Sequence, residues 1–155
     1  MTTIDNDQID LGDAEEFRLP SDGNHTAYLQ RVELAETKKG GHEQFTLFMS
    51  ISPEDSDSPN FPLRYFVMWP NPDDKDVMWG TRTAYGSMVQ KIKDMMTAFG
   101  GQESGGLSKK SIALFLDGKE GQAVKVKTKQ SFIKDEDTGQ PTDRKSVNIE
   151  AIMPA

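Results

Sequence analysis

The chain of 155 residues contains no cysteine and only two histidines, His25 and His42. The missing cysteines exclude a disulfide framework, a thiolate metal site and a cysteine nucleophile. The two histidines lack the helical pairing that a metal site uses. The chain also lacks an EF-hand pattern and a nucleophile elbow. We therefore expect no enzymatic activity, no metal site and no cofactor.

Long hydrophobic runs are also absent. No apolar stretch approaches the roughly 18 to 20 residues that span a bilayer. The first residues, Met1 to Asp5, lack the basic and apolar regions of a signal peptide. We therefore expect a cytoplasmic protein that has no membrane partner.

Positive charge is scarce, with 18 Lys and Arg against 25 Asp and Glu and a net charge of -7. Yet the stretch 123–132 alternates, so that Lys125, Lys127 and Lys129 share one face of a strand while valines occupy the other. These three residues are called the lysine strip. Like charges repel, which favours a polyanionic partner. The alternative is a solvated edge strand on which lysines discourage aggregation. Both interpretations stay open.

Hydrophobic periodicity predicts one domain over residues 23–155, after a loose acidic arm over residues 1–22. Alternating residues predict strands, and apolar residues three and four apart predict helices. The predicted strands are 23–34, 44–51, 63–69, 123–132 and 144–153, and the predicted helices are 83–99 and 108–116. The apolar stripe of the first helix contains Val89, Ile92, Met95, Met96 and Phe99.

Three strands, a helix and two strands follow the order of the oligonucleotide/oligosaccharide-binding (OB) fold. We therefore predict a mainly β (α+β) protein, a five-stranded OB barrel with a helix between strands three and four. Such barrels bind ligands on strands two and three and on two loops. Those loops are residues 36–43 and 134–143 here.

Short motifs at both ends of the domain carry a family resemblance. They are Gly23-Asn24-His25-Thr26-Ala27 with Glu36 to Gly41, and the Val-Lys-Val-Lys strand with the turn 134–139 and Ser146 to Glu150. Over about residues 20–154 the chain resembles phage-encoded OB-fold single-stranded-DNA-binding proteins. Many of these proteins end in an acidic tail that recruits replication partners. Here the acids lie at the N-terminus, so that tail is not carried over.

Binding single-stranded DNA requires cations for phosphates and aromatic faces for bases. The candidate cations are Lys38, Lys39, Arg64, Lys125, Lys127 and Lys129, and the candidate stacking residues are Phe48 and Phe66. Lys38 and Lys39 fit a solvated turn equally well, and Phe48 fits a second small core under the arm. We expect Trp79 and Phe132 to be core residues.

We therefore interpret the chain as a non-sequence-specific single-stranded-DNA-binding protein of phage replication or recombination, in the bacterial host cytoplasm. A homo-oligomer and replication or recombination proteins stay open as further partners. A first alternative is a protein-interaction module whose aromatic face is buried in a partner. A second, a nuclease, requires a converging carboxylate site that the sequence does not contain.

Overall fold

A computed structural model describes residues 8–13 and 19–155. The long strands are β1 (Gly23–Glu36), β2 (Glu43–Ile51), β3 (Pro62–Met68), β6 (Ala123–Lys134) and β7 (Pro141–Pro154). A short hairpin of two two-residue strands, β4 (Met78–Trp79) and β5 (Arg82–Thr83), precedes helix α1 (Ala84–Ala98) and helix α2 (Lys109–Asp117). Two 3-10 turns, Leu11–Asp13 and Pro72–Asp76, complete the structure. Among the described residues, none of the helices is long and apolar enough to cross a membrane.

The five long strands form one antiparallel sheet in the order β3-β2-β1-β6-β7. This arrangement confirms the prediction of a mainly β protein with five strands and two helices. The sequence did not predict the β4–β5 hairpin or the turn at Pro72–Asp76, because elements this short show no measurable periodicity. Much of the predicted acidic arm lies outside the described residues.

The strand β1 divides its pairing between two neighbours. Its first half, Gly23 to Tyr28, pairs with β6, and the segment from Ala27 to Glu36 pairs with β2. A bulge between Leu29 and Arg31 inserts Gln30 just after the change of partner. Bulges bend a strand and increase its twist. The sheet is therefore bent at this position rather than flat.

The core lies on the inner face of the sheet and under both helices. From Gln44 to Ile51, β2 alternates half-buried and buried residues, as the sequence predicts. The largest fully buried side chains include Phe45, Leu47, Met49, Phe99, Ile112 and Leu116. Thr83 caps the start of α1 by accepting a hydrogen bond from the Gly86 N–H, and Gly100 follows its end with a φ of 76°.

Three predicted core positions are wrong. Phe132 is 53% exposed because β6 extends beyond the start of β1 and pairs there with β7 alone. Trp79 is 48% exposed because it lies on the β4–β5 hairpin, outside the main sheet. Val89 points outward, and Met88 takes its place in the buried stripe of α1.

A buried histidine attaches the start of β1 to the loop after β2. His25 Nδ1 lies 2.9 Å from Asp55 Oδ2, and His25 Nε2 lies 2.8 Å from the Ser21 carbonyl oxygen. A carboxylate and a carbonyl both accept, so the two contacts are hydrogen bonds together only when both ring nitrogens carry a proton, as in the imidazolium. Burial lowers the pKa of His25, but the hydrogen bonds to Asp55 and Ser21 and the Asp55 charge outweigh burial and raise this pKa overall.

The same contact lowers the pKa of Asp55 to about 2, chiefly through the His25 hydrogen bond and then the Ser58 N–H. The His25 contribution to the free energy of unfolding is complete below pH 6.5 and is lost as pH rises through the folded-state pKa. The Asp55 contribution is present above pH 3.8 and is lost as pH falls toward about 2. The contact is therefore most stabilising at mildly acidic pH.

We predict that His25→Gln lowers the free energy of unfolding by about 1 to 3 kcal/mol at pH 6, because a charged buried hydrogen bond is lost. The decrease in stability of the native chain between pH 6 and pH 8.5 should become smaller in the variant. Urea unfolding at both pH values measures these changes. The matched control is Asn24→Gln, an exposed neighbour on β1 that leaves the His25 contacts in place and should keep the native decrease with pH. An equal decrease with pH in the native chain and in His25→Gln would contradict this role.

Candidate nucleic-acid interface

The outer face of β2 and β3 presents aromatic and cationic side chains to solvent. Antiparallel register places Phe48 opposite Arg64, and Thr46 opposite Phe66. Phe66 is 45% exposed, while its chain neighbours Tyr65 and Val67 are buried on the inner face. Strand alternation thus turns Phe66 and Arg64 away from the core. An exposed phenyl ring on a well-packed strand is available for stacking.

Phe48 is flanked by two guanidinium groups. The Arg31 Cζ lies 3.8 Å from the centre of the Phe48 ring, and the Arg64 Cζ lies 5.2 Å from it. Both contacts are cation–π interactions. Arg31 is also paired with Glu33. A planar ligand therefore meets guanidinium surfaces around Phe48, and arginine planes stack on bases as aromatic rings do.

Sequence reasoning missed Arg31. Strict alternation from Ala27 and Leu29, which are both buried, assigns residue 31 to the inner face. The bulge at Gln30 reverses this alternation and brings Arg31 opposite Phe48 on the outer face. An arginine at a position that alternation assigns to the core is the signal in the sequence that indicates a bulge.

Phe66 lines three surface cavities on this face. A cavity of about 350 Å³ contains Phe48, Arg64, Phe66 and Asn148. A second, of about 570 Å³, contains Lys38, Lys39, Phe66 and Met68. A third, of about 240 Å³, contains Phe66 and Trp79. These three cavities are called the β2–β3 groove, and Phe66 lines all of them.

Lys38 and Lys39 lie in the exposed turn between β1 and β2, and the structure brings them to the groove. The turn is attached at its base. His42 Nε2 lies 2.9 Å from Asp74 Oδ2, the Asn71 side-chain amide donates to the Gly41 carbonyl, and Lys109 Nζ lies 2.7 Å from Glu43. The Asn71 backbone N–H and then His42 lower the pKa of Asp74 by hydrogen bonding to its carboxylate.

The lysine strip lies on the same outer face but at the other end of β1. Lys125 pairs with Thr26 and Lys127 with Asn24, whereas Phe48 pairs with Arg31. Along β1 these two lysines are therefore five and seven positions away from Arg31. Lys129 lies nearer to the groove, because it pairs with Asn148, which lines the cavity that contains Phe48 and Arg64. The structure thus groups Lys38, Lys39, Phe48, Arg64 and Phe66 around one groove, with the lysine strip on its β6–β7 side.

The strip is not purely cationic, and Lys125 and Lys127 lie where β6 is paired on both sides, whereas Lys129 lies just beyond the pairing with β1. β6 lies between β1 and β7, and a bulge in β7 inserts Glu150 opposite Lys127 and Thr128. Glu150 lies 3.8 Å from both Lys127 Nζ and Lys129 Nζ. Exposed ion pairs at this distance are weak. The three lysines are exposed, and Glu150 is the carboxylate that pairs with them in the part of the chain that the structure describes.

A second aromatic and cationic cluster lies beyond the strip, where β6 and β7 pair only with each other. Lys145 Nζ lies 5.1 Å from the centre of the exposed Phe132 ring. This projecting hairpin continues the outer face away from the groove.

Within residues 8–13 and 19–155, no group of three or more His, Asp or Glu side chains is placed to hold a metal ion. No family model matches the chain, and no curated protein matches its sequence. The function is therefore inferred from the side chains on the outer face of the sheet. This face offers planar surfaces for flat rings and cations for a chain of negative charges.

We predict that Asp74→Asn loosens the turn between β1 and β2, because a neutral amide holds His42 less strongly than a carboxylate does. The free energy of unfolding should fall by about 1 to 2 kcal/mol at neutral pH. Amide hydrogen exchange should become faster across residues 37–42.

Because folding lowers the pKa of Asp74, this stabilisation is present above pH 3.8 and is lost as pH falls through the folded-state pKa. The variant should therefore lose less stability than the native chain on acidification. Asp73→Asn, an exposed neighbour on the same turn, is the matched control. Equal exchange rates in the two variants would contradict the role of Asp74.

Proposed function

We propose that this protein is an OB-fold protein that binds single-stranded DNA without strong sequence preference. The single observation that carries the proposal is the half-exposed Phe66, which lines one cavity with Arg64 and another with Lys38 and Lys39. OB folds bind oligonucleotides on strands two and three and on the loop between strands one and two. The groove occupies the corresponding part of this sheet.

The sheet topology supports an OB barrel. The order β3-β2-β1-β6-β7 leaves β3 and β7 as the two ends of the sheet. Pro62, Leu63 and Arg64 of β3 nevertheless line the same cavity as Val147 and Asn148 of β7. The end strands therefore approach each other, as they do when a bent five-stranded sheet curls into a partly open barrel.

The groove supplies both parts of single-strand recognition. Each stacked base contributes about 1 to 3 kcal/mol, and stacking tolerates any sequence because every base has a π-face. Phe66 offers one such surface, and the guanidinium groups beside Phe48 offer another. Lys38 and Lys39 provide the charges for the phosphates. The net charge of -7 is compatible with this function, because local patches rather than net charge guide a polyanion.

The lysine strip extends the proposed path. It lies on the same face as the groove and leads to the β6–β7 hairpin, where an OB fold places its other binding loop. We propose that a short strand occupies the groove and that a longer strand also reaches Lys125, Lys127 and Lys129. The sequence resemblance extends the proposal to phage DNA replication or recombination.

A specific observation favours a second candidate, a protein-interaction module. Val77, Met78 and Trp79 form an exposed apolar run, with Met78 59% exposed. Such a run also suits a protein partner. Light scattering of the protein alone, and then with an oligonucleotide, separates the two functions. An oligomer that the oligonucleotide neither binds nor dissociates favours the second.

We predict that Phe66→Ala weakens binding of a fluorescently labelled dT oligomer of about 16 nucleotides. The affinity should fall about 5- to 150-fold, because one stacking surface is lost. Fluorescence anisotropy at low salt measures the change. Leu114→Ala, which removes an exposed apolar side chain from α2, is the matched control and should bind like the native chain. No binding of the native chain at low salt would overturn the proposed function.

We also predict a change in salt dependence for Lys38→Gln combined with Lys39→Gln. Each neutralised phosphate contributes about -0.7 to the slope of log K against log salt on single strands. The slope should therefore become shallower by about 1.4 for the double variant. Lys93→Gln with Lys110→Gln, on the exposed sides of the two helices, is the matched control and should leave the slope unchanged.

The lysine strip gives a length test of the same path. Neutralising Lys125, Lys127 and Lys129 together should reduce the slope less for an oligomer of about 6 nucleotides than for one of about 16. An equal effect on both lengths would contradict the extended path.

A further inference from the structure

The smallest of the three groove cavities lies where β3, the β4–β5 hairpin and α1 meet. It has a volume of about 240 Å³. Its walls include two aromatic rings, a side-chain amide, a lysine and two methionines. They are Phe66, Trp79, Gln44, Lys91, Met68 and Met88. Pockets that hold drug-sized molecules have about 300 to 1,000 Å³. This cavity is therefore suited to a single ring system.

Trp79 is held in place by the backbone around it. Met78 and Trp79 pair with Thr83 and Arg82, and Gly80 turns the hairpin with a φ of 66°. The Ala84 N–H, at the first residue of α1, donates to the Val77 carbonyl at 2.7 Å. The hairpin is thereby attached to the start of the helix. A large aromatic side chain on this short hairpin stays 48% exposed beside Phe66.

The polar groups of the cavity match the edge of a nucleobase. The Gln44 side chain offers one acceptor and two donors, so it can pair with any base without selecting one. The ammonium of Lys91 lies 4.7 Å from the centre of the Tyr65 ring. Burial lowers the pKa of Lys91, so a carbonyl or phosphate oxygen brought into the cavity would favour its charged form.

We infer that the 240 Å³ cavity binds one nucleobase of a single strand, in contact with Phe66 and Trp79. This inference rests on the proposed function and adds a specific base site to it. The cavity shares Phe66 with the cavity that contains Lys38 and Lys39, so a strand whose phosphates contact those lysines passes its opening. The aromatic walls supply stacking, and Gln44 and Lys91 contact the base edge.

The two tryptophans make the site directly observable. Trp69 packs edge-to-face on the buried Phe45, with ring centres 6.4 Å apart, whereas Trp79 is exposed in the cavity. A dT oligomer should quench the tryptophan fluorescence of the native chain. The quenching should persist in Trp69→Phe and disappear in Trp79→Phe. Trp79→Phe keeps an aromatic wall and should retain most of the affinity, whereas Trp79→Ala should lose about 5- to 150-fold.

A strand of the same length made of abasic sugar-phosphate units separates base contacts from phosphate contacts. It should bind through the cations without quenching Trp79. Circular dichroism confirms that each variant is folded.

Anisotropy of the labelled oligomer separates the base site from DNA binding as such. Binding without any change in Trp79 emission, native-like affinity of folded Trp79→Ala, or equal quenching by the abasic strand would each overturn the base site and leave DNA binding intact. No binding by anisotropy would overturn the proposed function and this inference with it.

Discussion

The divided pairing of β1 is the constraint on which the rest of the structure depends. Its first residues pair with β6, and the later ones pair with β2, with an overlap only at Ala27 and Tyr28. A strand that serves two neighbours over different lengths bends the sheet, and the bulge at Gln30 allows this bend without turning apolar residues outward. The approach of β3 to β7 follows from the bend.

Two of the acidic residues have structural roles. The carboxylates of Asp55 and Asp74 each contact a histidine ring nitrogen and accept a hydrogen bond from a backbone N–H near a loop. Their charges are thereby satisfied within the fold. The turn between β1 and β2 gains a fixed base from Asp74 while Lys38 and Lys39 stay exposed at its tip. The lysine strip differs, because Glu150 lies beside two of its three cations.

The outward aromatic residues give the molecule its proposed chemistry. The hydrophobic core contains Phe45, Leu47, Met49 and their buried neighbours, but not Phe66 or Trp79. These two rings are about half exposed, so their burial contributes little to the stability of the fold. Both rings lie instead on rigid elements, a central part of β3 and a hairpin attached to α1. A planar ligand that contacts them therefore meets surfaces already in position. Such preorganisation reduces the entropy lost on binding.

Local pattern in the sequence was sufficient for the strands and helices. Period-two alternation in β2 and β6 and the three-and-four spacing in α1 depend only on which residues are apolar, so these elements were predictable. Inward and outward faces of Phe48, Phe66 and the lysines follow from the same alternation. Tertiary structure alone decided the position of Arg31, because a bulge reverses alternation and depends on how β1 meets two neighbours. It also decided that Phe132 and Trp79 are exposed. Hydrophobic periodicity does not show that β6 extends beyond β1, and strands of two residues are too short to show any periodicity. The position of Lys129 beside the groove residue Asn148 is likewise a matter of register, which pairs residues far apart in the chain and cannot be found from any one segment.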